Sequence, residues 1–185
     1  MRTTLVESAT SRLVQEALAF AARAHAGQVR KYTGRPYITH PIAVARLVHQ
    51  FGGDSAMVAA ALLHDTIEDC GVTAGELEAR FGKDVSALVV HLTDVSRPEN
   101  GNRAARKALD LAHTANASPR AKTIKALDLC HNTLSIVKGS TRFAQVYLDE
   151  KAQLLRVLGD ASHCGAFDLA VRVYERSRKK LARLA

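Results

Sequence analysis

The chain has 185 residues, enough for one domain with a substantial core, and it is 47% hydrophobic but only 5% aromatic, with no tryptophan. Alanine and leucine outweigh the β-branched and aromatic residues that strands prefer, which favours an all-α fold and argues against a sheet-rich one. A formal charge of +8 admits nucleic acid, an anionic membrane surface or a small phosphorylated ligand as partner, and by itself excludes none of them.

The opening residues, "MRTTLVESATSRLVQEALAF", place polar and acidic side chains where a secretion signal needs an unbroken apolar core. Within them, "SRLVQEALAFAARAHA" starts a helical repeat that stops at Gly27. "GQVRKYTGRPYIT" follows as a loop broken by Gly34 and Pro36, and Pro41 then suits the first turn of the next helix. His40 stands at the start of that helix. Asp54 or Ser55 caps a helix that carries "LLHDTIED" and stops near Gly71. "TAGE" at 73–76 reads as a capping box for a short helix ending at "RFG", and another runs through "VSALVVHLTD".

"VSRPENGN" is a loop, and residues 96–102 are a place where a lid could sit, although nothing in the sequence establishes one. A helix is expected from Arg103 towards His113. Another has Ser118 as cap, Pro119 in its first turn and Gly139 at its end. Two more, about 142–158 and 163–182, complete a single domain spanning 1–185. No stretch reaches the roughly 18 continuous apolar residues of a membrane span. Cys70, Cys130 and Cys164 are scattered, without metal-type spacing, which suits a reduced, cytoplasmic protein. The C-terminal run "VRVYERSRKKLARLA" reads as a solvated helix face. Beyond Tyr174 no aromatic residue is interleaved among its cations to stack bases, so nucleic acid is disfavoured.

The string "HDTIED" is where chemistry is expected. On a continuous helix, His64 and Glu68 would share one face, as would Asp65 and Asp69, crowding an imidazole with three carboxylates after the apolar run "MVAAALL". Burying that set without a cation is costly, and a divalent ion removes the difficulty. Imidazole with carboxylate suits Mn²⁺, Fe²⁺ or Zn²⁺ better than Mg²⁺ or Ca²⁺. Further ligands must come from elsewhere, and His40 and Asp128 are candidates. Taken singly, a histidine before proline is more often a helix cap, and a mid-helix aspartate more often pairs with a lysine such as Lys125.

The ordered pattern His40, His64–Asp65, Asp128 resembles the signature of HD-domain metal-dependent phosphohydrolases. Longer strings, "AHAGQVRKYTGRPYITHPIAVARLV", "AALLHDTIEDCGVT", "RFGKDVSALVVHLTD" and "KALDLCHN", resemble successive motifs of the RelA/SpoT-type (p)ppGpp hydrolase domain over residues 11–138. The chain resembles the stand-alone small alarmone hydrolases. The resemblance implies an HD-domain helical bundle with one Mn²⁺ per chain, held by His40, His64, Asp65 and Asp128. It assigns Glu68 and Asp69 to the attacking water. Arg30, Lys31, Asn132, Ser135, Tyr147 and Lys151 become substrate contacts, and the implied substrate is a small nucleotide, ppGpp or pppGpp, cleaved to GDP or GTP and pyrophosphate.

Three alternatives remain open from the sequence. The same site could act on adenosine alarmones or on the 2′-phosphate of NADPH, or the chain could be a non-catalytic module that binds alarmones or nucleic acid. Relatives commonly read "K.ADRLHNMRT" where this chain has "KALDLCHNTLS". Leu129 and Leu134 therefore replace positions that are usually basic, while the four implied ligands are intact.

Overall fold

The computed structural model describes residues 2–139, 141–161 and 163–183, and only the backbone of residues 2–11, 141, 142 and 164. Among the described residues the regular structure is helical apart from one isolated antiparallel bridge, Val29 to Pro36. The chain gathers into two compact units. The first runs to Arg30 and resumes at Arg35–Thr93, and the second holds Lys31–Gly34 and the chain from Asp94 onward.

The first unit is built around a helix that is buried on all sides. Helix α1, Arg2–Ala24, and helix α2, Thr39–Gln50, both pack on α3, Ser55–Leu63. Every residue of α3 from Met57 to Leu63 is buried, as expected of a helix that is apolar all round. Asp54 caps it, accepting from the Met57 amide at 2.9 Å. Helix α1 begins well before the expected start at residue 11. No glycine or proline precedes Ser11, so nothing stops the helix there, although the apolar repeat becomes legible only later.

The helix expected from residue 54 to Gly71 is interrupted. It ends at Leu63, and a separate helix α4, Thr66–Cys70, follows, with His64 and Asp65 forming the junction between them. Asp65 has φ −95° and ψ −3°, at the shallow edge of the right-handed region, and it caps α4. Two side chains bond back to carbonyls of the preceding turn: His64 Nδ1 to Ala61 O at 2.9 Å, and Thr66 Oγ1 to Leu63 O at 2.7 Å. Such local bonds offer the backbone an alternative to the helical ladder. The break costs roughly 1 kcal/mol for each displaced backbone hydrogen bond. Burial of Met57, Val58, Leu62 and Leu63 is worth about 1.5–3 kcal/mol each, so α3 stays in place regardless.

Helices α5, Ala74–Phe81, and α6, Lys83–Leu92, complete the unit, α6 against α3. The capping box is present: Thr73 Oγ1 accepts from the Glu76 amide at 3.2 Å, and Glu76 accepts from the Thr73 amide at 2.8 Å. Helix α6 spans two residues earlier than expected at each end, which leaves Thr93 and Asp94 outside it.

In the second unit α7, Arg103–Ala115, packs on α9, Thr141–Val157, while α8, Pro119–Gly139, packs on α9 and on α10, Cys164–Ala182. The core here includes Leu129, Cys130, Ile136, Val137, Tyr147, Leu148 and Leu158. Cys130 is a buried hydrophobe in that core, and burial pushes its thiol up to about 12. The 95–102 connection is anchored: Asp110 is buried and accepts from the Val95 and Ser96 amides at 3.1 and 2.9 Å and from Ser96 Oγ at 3.0 Å.

Gly53, in the turn between α2 and α3, sets a test of packing in the first unit. A Cβ there would lie 2.5 Å from Val48 Cγ1 and 2.9 Å from the Val48 carbonyl oxygen, a backbone atom that cannot swing away. Gly53→Ala is therefore expected to destabilise the protein by about 1–3 kcal/mol. Urea unfolding should show a lower midpoint with an unchanged slope.

Candidate metal centre

Three donors meet in the first unit. His40 is the second residue of α2 and is 1% exposed; the turn ahead of it is fixed by Thr39 Oγ1 donating to Pro36 O at 2.7 Å and by His40 N donating to Tyr37 O at 2.8 Å. His64 and Asp65 come from the α3–α4 junction. His64 Nε2 lies 3.1 Å from Asp65 Oδ2, and His40 Nε2 lies 3.5 Å from the same oxygen. The two imidazole rings cross at 70° with centroids 5.1 Å apart. One donor atom from each of the three residues lies within 4.8 Å of the others.

The donor chemistry fits a cation. The Ala61 carbonyl can only accept, so the His64 Nδ1 that bonds to it carries the proton in the neutral ring. The Nε2 lone pair then points towards an anionic carboxylate oxygen at 3.1 Å, an arrangement that is repulsive unless a positive charge lies between them. The same bond fixes the ring's tautomer and orientation, as expected of a metal-ligating histidine.

Three residues that the sequence did not single out shape this centre. The Tyr37 hydroxyl donates to Asp65 Oδ2 at 2.8 Å. Burial first, and then the Asp65 charge it faces, push that phenol well above its ordinary range, so it stays a neutral donor. His25 is buried; its ring stacks on Tyr37 with centroids 4.7 Å apart, and its Nδ1 lies 2.7 Å from Gln28 Oε1 and 3.3 Å from Cys70 Sγ. Gln28 Nε2 also donates to the Asp69 carbonyl at 3.2 Å, which ties the loop after α1 to α4. All of these lie inside "AHAGQVRKYTGRPYITHP", whose strict spelling was the available signal.

The acids are less buried than the apolar context of "HDTIED" suggests. His64 is buried and Asp65 half-buried, but Glu68 and Asp69 are exposed on α4, because the junction turns this short helix away from the interior. The pressure for a cation therefore comes from the two imidazoles and Asp65, and not from burial of all three carboxylates. Partial desolvation, and then the charge of Asp65, raise the Asp69 carboxyl above its usual range.

Arg30 and Lys31 go to different surroundings. Arg30 Cζ sits 5.6 Å from the Tyr37 ring centroid in the first unit, whereas Lys31 Nζ sits 5.7 Å from the Tyr32 ring in the second.

Asp128 lies in α8 of the second unit, half-buried, and accepts from Asn132 Nδ2 at 2.8 Å; Ser135 Oγ donates back to the Asn132 carbonyl at 2.9 Å. Tyr147 is a core residue whose hydroxyl lies 3.4 Å from Thr133 Oγ1, which gives it a packing role in this unit. Lys151 Nζ stands 5.1 Å from the Tyr147 ring centroid.

Lys151 also lines a cavity of about 690 Å³ with Arg103, Lys107, Lys125, Asp94 and Glu150. The acids there are already engaged. Arg103 binds Glu150 through two bonds of 2.6 and 2.9 Å, and Lys107 reaches Asp94 at 2.8 Å and Asp110 at 3.2 Å. Burial alone would raise the Asp94 carboxyl, but Lys125 and Lys107 outweigh it and hold the group low. Burial, and then repulsion from Lys125, bring the Lys151 ammonium down to about 8. Because its folded value lies below the unfolded one near 10.4, the unfolded chain binds more protons between them, and stability should rise as pH climbs from about 8 towards 10. A heteronuclear NMR titration of the lysine side chains should show Lys151 turning over near pH 8, and Lys125→Met should move it upward.

A family model described as HD domain matches residues 17–129. Guanosine-3′,5′-bis(diphosphate) 3′-pyrophosphohydrolase MESH1 of Xenopus tropicalis is 41% identical over 128 residues, which cover 68% of this chain and 70% of that protein. A probable GTP pyrophosphokinase of Mycobacterium leprae is 39% identical over 155 residues, 81% of this chain but 20% of that longer protein. Among solved structures, a metazoan orthologue of SpoT, described as hydrolysing ppGpp and playing a role in starvation responses, superposes with a TM-score of 0.77. It is 26% identical, and the match covers 89% of this chain and 94% of that one.

Proposed function

The chain belongs to the HD domain family, and we propose that it hydrolyses the 3′-diphosphate of guanosine alarmones with one bound Mn²⁺, taking ppGpp to GDP and pppGpp to GTP with release of pyrophosphate. The observation that carries this reading is the meeting of His40 Nε2, His64 Nε2 and Asp65 Oδ2 in one place. The printed activity of the MESH1 relative supports the substrate class.

His40, His64 and Asp65 would hold the cation, with Asp128 as the fourth ligand on the family pattern. Two imidazoles with carboxylates form a mixed nitrogen and oxygen set, which suits Mn²⁺ better than Mg²⁺. Such a cation, when bound, lowers the pKa of a water and polarises a phosphoryl oxygen. Glu68 and Asp69, exposed on α4, would activate and orient the attacking water. Arg30, already stacked on Tyr37, offers its guanidinium to the base or phosphate, while Asn132, Ser135, Lys31 and Lys151 supply further polar and cationic contacts.

No helix among the described residues is long and apolar enough to cross a membrane, and a cytoplasmic location fits a nucleotide substrate.

The test is to incubate Mn²⁺-loaded protein with ppGpp, pppApp, NADPH and dNTPs and to resolve the products. Pyrophosphate and GDP from ppGpp are expected, whereas orthophosphate from NADPH alone would redirect the assignment. Asp65→Ala and Asp128→Ala should each cost more than the roughly 10- to 100-fold typical of losing a residue that merely supports a ligand. Unchanged turnover in either would remove that ligand. Glu68→Gln should keep Mn²⁺ binding, measured by titration calorimetry, but lose about 10²–10⁴ in turnover.

A further inference from the structure

The geometry points to Tyr37 as a positioning residue that fixes the ligand carboxylate of Asp65 and, through the same ring, places Arg30; this inference rests on the metal-dependent reading above. Three contacts carry it. The hydroxyl donates to Asp65 Oδ2 at 2.8 Å, the oxygen that both imidazole Nε2 atoms approach. The ring is stacked on buried His25, with centroids 4.7 Å apart and planes 27° from parallel. Arg30 Cζ stands 5.6 Å from the ring centroid.

Each contact restricts a different freedom. Asp65 caps α4, its backbone carbonyl accepting from the Asp69 amide at 2.9 Å, but that bond fixes the backbone and does not orient the carboxylate. A neutral phenol is a suitable donor for this oxygen, because a cationic donor would compete with the ion for the carboxylate charge. It uses one lone-pair direction of Oδ2 and leaves the other to the ion. The stack on His25, itself held by Gln28 and Cys70, stops the ring from swinging and keeps the hydroxyl aimed. The ring face under Arg30 provides a cation–π contact, so the guanidinium offered to the nucleotide and the metal ligand are referenced to one rigid group.

Two substitutions separate these duties. Tyr37→Phe keeps the ring and its stacks but removes the hydroxyl, and Tyr37→Leu removes both. The measurements are calorimetric titration of Mn²⁺ into chelator-stripped protein, melting of the metal-free protein, and ppGpp kinetics at saturating Mn²⁺. Tyr37→Phe is expected to bind Mn²⁺ roughly tenfold more weakly, as loss of a supporting hydrogen bond to a ligand does. Its metal-free melting temperature should fall by no more than the several degrees that one hydrogen bond to a carboxylate is worth, and its KM at saturating Mn²⁺ should match the wild type, which a merely structural role would not predict. Tyr37→Leu should weaken Mn²⁺ by a similar factor and also raise KM severalfold, because Arg30 loses its platform. Mn²⁺ affinity of Tyr37→Phe within twofold of the wild type would overturn the inference alone. A wild-type protein that takes up no Mn²⁺ would instead sink the functional reading, and this inference with it.

Discussion

One carboxylate oxygen organises the first unit. Asp65 Oδ2 has the Tyr37 hydroxyl at 2.8 Å, His64 Nε2 at 3.1 Å and His40 Nε2 at 3.5 Å. A neutral phenol can share that oxygen without conflict. Two imidazole nitrogens cannot both do so as acceptors, and the Ala61 carbonyl has already claimed the Nδ1 proton of His64. The arrangement is therefore frustrated as a set of protein groups and coherent as a set of ligands. Frustration of this kind, concentrated at one point of an otherwise consistent fold, is what a functional site looks like physically.

The scaffold explains how the point is held. Helix α3 is enclosed on all sides by α1, α2 and α6, so its C-terminal end has a fixed position in an apolar setting. The chain leaves that helix through two side-chain bonds to carbonyls, which stop the ladder and point His64 and Asp65 sideways. A continuous helix would have carried Glu68 and Asp69 along the same buried line. The junction instead frees α4 to expose them, which suits groups that must trade protons with water.

Capping chemistry was the most legible part of the sequence. Asp54, the Thr73–Glu76 box and Ser118 each satisfy amides that the first turn of a helix leaves open, and each is found doing so. These are local bonds between residues three apart, so the sequence contains both partners. The His64–Asp65 break was not legible, because periodicity sees only that apolar residues continue at helical spacing and cannot see a histidine choosing a carbonyl over solvent. Tyr37, His25 and Gln28 were hidden for a related reason. Their partners lie 28 to 45 residues away along the chain, and only the tertiary fold brings Asp65, Asp69 and Cys70 to them.

The two positions where the resemblance to alarmone hydrolase motifs implies a basic residue, Leu129 and Leu134, have different physical meanings. Leu129 is 2% exposed in the core of the second unit, packed in the cluster that includes Ile136 and Leu148. A lysine or arginine there would have to carry its charge out of that core or find an acid within it, and leucine removes the requirement. Leu134 is 53% exposed, so it contributes little to packing, and a basic residue could stand there at no structural cost. Leu129 can thus be understood as a packing exchange. At Leu134 the implied surface charge is absent with no gain in burial, which directs a search for altered ligand preference to this position before the buried one. The Asp128–Asn132 pair on the same helix, one turn apart and hydrogen-bonded at 2.8 Å, is untouched by either change.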